Sequence, residues 1–316
     1  MLQNTMVKKL AVIIVNWNSY AFTHDTLASL NQTTYKNFDI VLVDNASTDD
    51  SVAQLQQQHS DIILLQNEQN TGFTGGNNKG MQYALDHGYE YVLLLNNDVA
   101  VEMNFLEPLL QVLEENENVG AVQPLIYFHH NRALVWNAGT QFNPWTGVTK
   151  TKGYEYQDQG QKLKSQASTT SYQKVDWITG CAFMVKTKAL QKVGLLYEPF
   201  FIYYEDVDLS FRIQEAGYDL GFVPSSVIYH IAGMSHKSST KTSEGYINPK
   251  VHYLNARNHL WLLKKYTKLQ YAPTVIIYQS AYYLGVTVYF IVRGRWQKLK
   301  ALYRGISEGL QQSITI

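Results

Sequence analysis

Three acids fall within four residues in Glu205-Asp206-Val207-Asp208, directly behind the aromatic run Phe200-Phe201-Ile202-Tyr203-Tyr204. A carboxylate that acts as a general base needs partial burial to raise its proton affinity, and an aromatic collar can supply it. The plainer explanation is that acids at a helix start complement the macrodipole. Asp208 and Arg212, four apart, read as a structural pair. A further acid, Asp98, closes Asn96-Asn97-Asp98 immediately after Leu93-Leu94-Leu95. Oxygen ligands at that place suit a divalent cation meeting a diphosphate, although an aspartate after a strand also caps turns. His230 ends Val227-Ile228-Tyr229-His230. As a nitrogen ligand it would complete the site that Asp98 begins, whereas a lone histidine is more often structural. Finally, Asn70-Thr71-Gly72-Phe73-Thr74-Gly75-Gly76-Asn77 sets glycines just before a helix, which would leave amides uncovered at its positive end for a phosphate or sugar hydroxyl. A plain tight loop is the alternative.

These residues need a scaffold that delivers them to one edge. Short Val-, Ile- and Leu-rich runs at 10–15, 39–43, 62–65 and 91–95 read as strands buried on both faces, with crossover helices over 21–30, 50–58 and 77–87 and Thr48 capping the second. Right-handed crossovers turn this βαβαβαβ order into an open, doubly wound, mostly parallel α/β sheet, whose ligands bind beyond the carboxyl ends of the strands. Asn16-Trp17-Asn18, Asp44-Asn45 and Asn96-Asn97-Asp98 all follow strands there. A helix over 103–115 and a strand over 119–123 continue the domain. The stretch 127–173 reads as hairpins and loops of the kind that carry recognition. Order returns at 175–186, followed by a helix over 206–216, strands near 220–223 and up to Tyr229, and a helical, locally basic tail from about 252.

Composition narrows the classes. The 316 residues are 45% hydrophobic and 16% charged, with 26 basic against 26 acidic side chains, so the chain folds and has no basic surplus for nucleic acid. One cysteine, Cys181, in an apolar stretch with no local partner, excludes a disulfide scaffold, suits a reducing compartment and reads as structural. Lys8 and Lys9 before the run 10–15 have the look of a signal peptide, but the run is too short and lacks a small-residue cleavage site; secretion is not expected. The glycine segment fits neither the Walker nor the Rossmann spacing, which weighs against ATP or NAD.

Taken in order, Val-Asp-Asn-Ala-Ser-Thr-Asp (43–49), Asn-Thr-Gly-Phe-Thr-Gly-Gly-Asn-Asn-Lys-Gly (70–80), Leu-Leu-Asn-Asn-Asp (94–98), Thr-Gly-Cys-Ala-Phe (179–183), Phe-Ile-Tyr-Tyr-Glu-Asp-Val-Asp-Leu-Ser-Phe-Arg (201–212) and His230 resemble glycosyltransferase family 2. These are inverting enzymes of the GT-A fold, and the likeness is greatest to bacterial rhamnosyltransferase-type members that build cell-surface polysaccharides. The resemblance implies a glycosyltransferase domain over 1–250, with a nucleotide-sugar half at 1–125 and an acceptor and catalytic half at 126–250, followed by a helical region at 251–316. Asp44 would bind the nucleotide base, Trp17 would stack near it, and Val15 and Asn16 would line the pocket. Asn45, Gly72, Asn77, Asn78, Asn96 and Asn97 fall on the donor side, Trp177 and Gly180 on the acceptor side. Asp98 matches the last acid of the family's Asp-x-Asp motif and, with His230, would hold Mg²⁺ or Mn²⁺. Asn96 stands where the first acid usually is, leaving one negative charge fewer. Asn77 stands where many members have arginine, with Lys79 nearby. Asp206 matches the catalytic base, with Glu205 beside it.

The implied reaction moves a sugar from a nucleotide-diphosphate-sugar to a saccharide or lipid-linked acceptor. A sugar nucleotidyltransferase would need a basic glycine-rich turn where Asn16-Trp17-Asn18-Ser19 stands, and a catalytically silent saccharide-binding subunit would not need Glu205, Asp206 and Asp98 intact. The tail poses a separate question. Residues 272–292 carry no charge and are long enough for a span at ~20 residues. Yet Pro273, Gln279, Ser280 and four tyrosines weaken insertion, and Arg293, Arg295, Lys298, Lys300 and Arg304 would land on the side opposite a cytoplasmic active site, against the positive-inside tendency. Beyond them Trp296, Leu299, Leu302, Tyr303, Ile306 and Leu310 make one apolar face with basic neighbours, as an in-plane membrane helix has. Three placements stay open: in-plane or re-entrant membrane contact through 264–310, packing onto the domain or a homodimer partner, and a span. The first puts the protein in the cytoplasm at the inner face of the cell membrane.

Overall fold

The computed structural model describes residues 9–158, 163, 172–232, 237–242 and 244–312; Lys8 and most of the 159–171 part of the expected loop region lie outside them. The chain divides into two compact units, one of residues up to 140 with 151–201 and 205–231, the other of 141–150, 202–204 and 232–316.

In the first unit β1 (Leu10–Asn16), α1 (Tyr20–Asn31), β2 (Phe38–Asp44), α2 (Ser51–Gln58), β3 (Ile63–Gln66), α3 (Gly72–Asp86) and β4 (Tyr91–Leu95) follow one another as the pattern required. Strands β3-β2-β1-β4 are parallel, with Asn16 level with Asp44 and Asp44 with Gln66. Along β1 the pleat sends Ala11 and Ile13 to one core and Leu10, Val12 and Ile14 to the other, all fully buried. A strand buried on both faces needs apolar residues throughout, which is why this run does not alternate. Next come β5 (Val99–Val101), α4 (Leu106–Glu115), β6 (Val119–Phe128) and β7 (Asn131–Asn137), of which the three strands extend the sheet. β8 (Thr140–Asn143) and β9 (Val148–Thr151) pair apart from it. β10 (Gln173–Lys174), β11 (Ala182–Lys186), α5 (Thr187–Val193), α6 (Glu205–Glu215) and β12 (Asp219–His230) complete the order β10-β12-β6-β11-β4-β1-β2-β3. The sheet is mixed: β11 enters antiparallel between β4 and β6. Met81 of α3 and Leu209 and Ile213 of α6 cover one face; Leu27 and Leu30 of α1 and Leu106, Leu109 and Leu113 of α4 cover the other.

Several boundaries moved. The expected strands near 220–223 and before Tyr229 are one strand, β12, with a register shift between Val223 and Val227. Helix α3 starts at Gly72, well before 77. Its glycines are there for contact: a Cβ on Gly76 or Gly80 would meet Val15 at 2.8 Å or Ile13 at 2.5 Å, so the helix lies close on β1. Their amides are not uncovered either. Gly72 N–H donates to Asn70 Oδ1 at 2.9 Å, Thr74 N–H to Phe201 O and Gly75 N–H to Thr71 O. Thr48 does not cap α2; Asp49 Oδ1 receives Ser51 N–H and its hydroxyl instead.

Asp208 and Arg212 are the buried structural pair that their spacing suggested, at 2.8 Å, with the rest of the guanidinium donating to the carbonyls of Val193 and Leu195. Removing one partner leaves a buried charge uncompensated. Arg212→Ala therefore destabilises the fold by about 3–5 kcal/mol, read as a lowered urea midpoint; a change within the scatter of surface mutants contradicts this.

In the second unit α7 (Pro249–Tyr266), α8 (Ala272–Val292) and α9 (Trp296–Gln311) pack together. A Cβ on Gly305 would meet Tyr253 O at 2.3 Å, so glycine lets α9 approach α7. Asn248 caps α7 by accepting Lys250 N–H, and Glu244 caps α9 by accepting Gln297 and Lys298 N–H.

Candidate active site

The site grows from the carboxyl edge of the first unit. Asp44, buried at the end of β2, accepts from Asn16 Nδ2 (3.3 Å), Ser47 Oγ (2.5 Å) and Ser47 N–H (3.1 Å). Asn16 in turn accepts from Thr23 Oγ1 at 2.8 Å, and that hydroxyl receives Asn97 Nδ2 at 2.9 Å. One network therefore joins Asp44, Asn16 and Asn97 through Thr23. Trp17, next along, is 55% exposed at the edge. Asn45 is engaged at both ends of its amide, donating to Asn70 and Gly72 O and accepting from Asn67 and Thr71; it shapes the loop before α3. Gly72, at φ +75°, lies so close to Phe201 that a Cβ would sit 2.4 Å from its carbonyl oxygen.

Asp98 and His230 are distant in sequence and adjacent in space because β5 pairs antiparallel with β12, setting Val99 opposite His230. His230 Nε2 lies 3.2 Å from Asp98 Oδ1 and 3.4 Å from Asn96 Nδ2. Asp98 Oδ1 is buried and, among the described residues, faces no donor besides this imidazole. Trp136 meets the imidazole edge-on at 4.6 Å, and the Cys181 thiol lies against it, so this cysteine has a partner that its sequence context did not show. Burial pushes the thiol up. Burial by itself pushes His230 down; Cys181 and Asp98 outweigh it and raise the imidazole to about 10. A buried carboxylate oxygen beside an imidazole nitrogen is a fitting donor pair for Mg²⁺ or Mn²⁺ once the imidazole releases its proton to the incoming ion. No cluster of three or more metal-ligating side chains occurs among the described residues, so a cation here would take its remaining ligands from elsewhere.

Residues 179–181 bridge to the acids. Cys181 O accepts Asn96 N–H at 2.9 Å, and Gly180 N–H donates to Asp206 Oδ2 at 2.8 Å. Asp206 Oδ1 accepts Val207 N–H at 2.8 Å. Burial raises Asp206 and these backbone donors hold it back, leaving it at about 6. Glu205 is buried, its Oε2 has no hydrogen-bond partner among the described residues, and burial together with Asp206 pushes it well above the carboxylate range. The two neighbours are thus separated: Asp206, partly exposed, carries the charge, and Glu205 keeps its proton.

Other expected residues lie elsewhere in the unit. Asn77 donates to Phe73 O within α3, Asn78 exchanges hydrogen bonds with the backbone of Leu196, and Val15 packs against Gly76. Lys79 reaches the carbonyl of Gln66. Trp177 is held by Thr140, while Ile178 N–H donates to Ser210 Oγ of α6. Gln123 and Asn137, unnoticed in the sequence, steady Thr179: Gln123 Oε1 accepts its N–H at 3.2 Å, and Gln123 Nε2 donates to Asn137 at 2.9 Å. Thr23 was equally overlooked, though as a polar residue on the buried face that carries Leu27 and Leu30 it left a faint signal.

Within the second unit Asn258 donates to the carbonyls of Ile202 and Tyr203, both at 2.9 Å, and Tyr204 stacks on His259 at 5.1 Å. Phe201, Tyr203 and Tyr204 all have positive φ. Backbone of that kind in bulky residues costs free energy and persists where surroundings impose it. The strained segment ends where α6 begins with Glu205.

A mixed sheet with its acids, imidazole and asparagines gathered at one edge defines the class of a GT-A glycosyltransferase. The sequence profile of glycosyl transferase family 2 matches residues 11–194, and the chain belongs to that family. It is 27% identical over 222 residues to the low-salt glycan biosynthesis hexosyltransferase Agl10 of Haloferax volcanii, covering 69% of this chain and 66% of that one. It is 26% identical over 251 residues to the N-acetylglucosaminyl-diphospho-decaprenol L-rhamnosyltransferase of Mycobacterium tuberculosis, covering 71% and 76%. Among solved structures, the mannosyltransferase PcManGT of Pyrobaculum calidifontis, in complex with GDP-Man and Mn²⁺, superposes with a TM-score of 0.55 at 16% identity over 96% of this chain and 87% of that one. GalNAc-T7 with UDP, GalNAc and Mn²⁺ gives 0.59 at 18% identity, covering 81% of this chain and 51% of that one. At such identities the structural likeness bears on the fold.

Proposed function

We propose that the protein transfers a sugar, with inversion, from a nucleotide-diphosphate-sugar to a hydroxyl of a saccharide or lipid-linked saccharide during cell-surface glycan synthesis. The observation that carries this reading is the pairing of a base tuned to about 6, Asp206, with the Asp98–His230 donor pair, joined through residues 179–181. Asp206 accepts the proton of the acceptor hydroxyl as it attacks. Gly180 N–H holds the carboxylate in place, and Glu205, uncharged, adds no repulsion. Asp44, fixed by Asn16 and Ser47, faces the base of the donor, with Trp17 stacking on it. Asp98 and His230 hold Mg²⁺ or Mn²⁺, which when bound neutralises the diphosphate as the glycosidic bond breaks. The Mycobacterium relative's name supports rhamnose as the sugar and a polyprenol-linked acceptor, and an acceptor of that kind supports a working position at the inner face of the cell membrane.

A thermal-shift screen of nucleotide-diphosphate-sugars with and without Mn²⁺ tests it. A donor at about 100 times its Kd stabilises by about 2.7 kcal/mol, and that donor should be consumed when a saccharide acceptor is added. If no nucleotide-sugar stabilises the protein with metal, or a stabilising donor is never transferred or hydrolysed, the reading fails.

A further inference from the structure

Half of the expected lipid-facing surface on α9 is used up inside the protein. Leu302 is buried, and Leu299 and Ile306 pack with Ala256 of α7 and Phe290 of α8, while Trp296, Tyr303 and Leu310 stay exposed. Most of the exposed apolar surface belongs to α8. Its buried positions fall on one seam: Val275 and Gln279 are buried, Gln279 donates to Thr146 O, and Tyr283, Val286 and Phe290 continue inward. The rest of the helix is apolar and open, with Ile277 71%, Leu284 64% and Val292 77% exposed. It runs for 21 residues without a charge. A patch of this extent on a protein surface marks a contact.

Charge says what the contact is. From Lys264 to Ser307 the sequence holds Lys264, Lys265, Lys268, Arg293, Arg295, Lys298, Lys300 and Arg304 and no acid. Lys264 and Lys268 are exposed before α8, and Arg293, Lys300 and Arg304 after it. A symmetric contact between two copies would bring these flanks face to face with their like. An anionic lipid surface neutralises them at both ends of the helix. Tyr278, Tyr282, Tyr289 and Trp296 are exposed along the same stretch, the aromatic types that settle at the headgroup level. A span is disfavoured by the packing: α8 would have to shed its seam or draw the charged helices α7 and α9 into hydrocarbon.

We propose that the C-terminal unit docks on an anionic bilayer with α8 lying in the interface, its 275–290 seam on the protein and its remaining faces in the acyl region. The inference deepens the membrane placement proposed above and rests on it. Its test keeps the two apart, because lipid binding is measured without donor or acceptor.

The full-length protein is floated with vesicles of phosphatidylcholine alone or with about one-third phosphatidylglycerol. Binding to the anionic vesicles should be at least roughly tenfold tighter and should weaken with salt. Ile277→Asp with Leu284→Asp, both at exposed positions, should lose binding at least roughly tenfold while circular dichroism and Mn²⁺-dependent donor binding are unchanged. Arg293→Glu with Lys300→Glu, at about fivefold per unit of charge removed, should lose on the order of 10²-fold or more. Equal binding to neutral vesicles, or none to either, overturns the proposal. So does a lipid-free dimer split by Ile277→Asp, which gives the face to a second copy, and so does retention in vesicles through alkaline carbonate, which makes α8 a span. In the unsubstituted protein, donor binding without lipid binding removes only the docking, and lipid binding without donor binding removes the transferase reading.

Discussion

Asp206→Asn lowers turnover on the order of 10²–10⁴-fold, with donor binding kept in an equilibrium titration. Asparagine has nearly the shape of aspartate and its one oxygen can still accept from Gly180 N–H, so the loop stays where it is, with Val207 N–H giving up its bond to the side chain. What it cannot do is take a proton. The wild-type pH profile carries the same signature. A base must be deprotonated to work, and burial has moved Asp206 from the ordinary carboxylate range up to about 6. kcat/KM should therefore rise with pH through about 6 and level off above, falling roughly tenfold per unit below. Near-normal turnover in the variant, or a profile flat from the acid side through 6, removes Asp206 from the role of base.

Asp98→Asn should cost turnover by a comparable factor, on the order of 10²–10⁴-fold, because metal stabilisation of the leaving diphosphate is worth several kcal/mol and each decade is about 1.4. The buried Oδ1 that faces His230 is the atom at stake. Asn96, where family members usually carry another acid, brings no charge to share the load. His230→Ala should behave alike. Calorimetric titration of Mn²⁺ in the presence of a nucleoside diphosphate should lose its binding signal in both variants, and chelation should mimic them. Transfer that persists under chelation, or unaltered Mn²⁺ binding in Asp98→Asn, contradicts the metal role.

Much of the scaffold could be read from the residues. Strands β1 to β4 stand within a residue or two of the runs that announced them; β1, β2 and β4 lie inside the sheet and carry continuous apolar runs, whereas β3, read as buried on both faces, is a half-buried edge strand. The acids Asp98 and Asp206 were visible as charged residues placed just after a strand and at a helix start. Glycines misled: those at 75 and 76 looked like a loop before the helix, yet both lie inside α3, where Gly76, with Gly80, serves its close packing on β1, and a missing Cβ reads the same in either setting. The apolar face of α9 misled similarly, because the pattern says that a face is buried and not by what.

From the residues alone came the order of strands and helices, the family resemblance and the acids available for chemistry, all of which depend on local periodicity and spacing. Tertiary contact supplied the rest. Asp98 meets His230 only through the β5–β12 register, Gly180 tells Asp206 from Glu205 by giving one of them a backbone donor, and the packing of α7 against α9 leaves α8 as the open apolar helix. Each of these arises between segments remote in the chain, where pairing energies of whole elements, not the preferences of neighbouring residues, choose the partner.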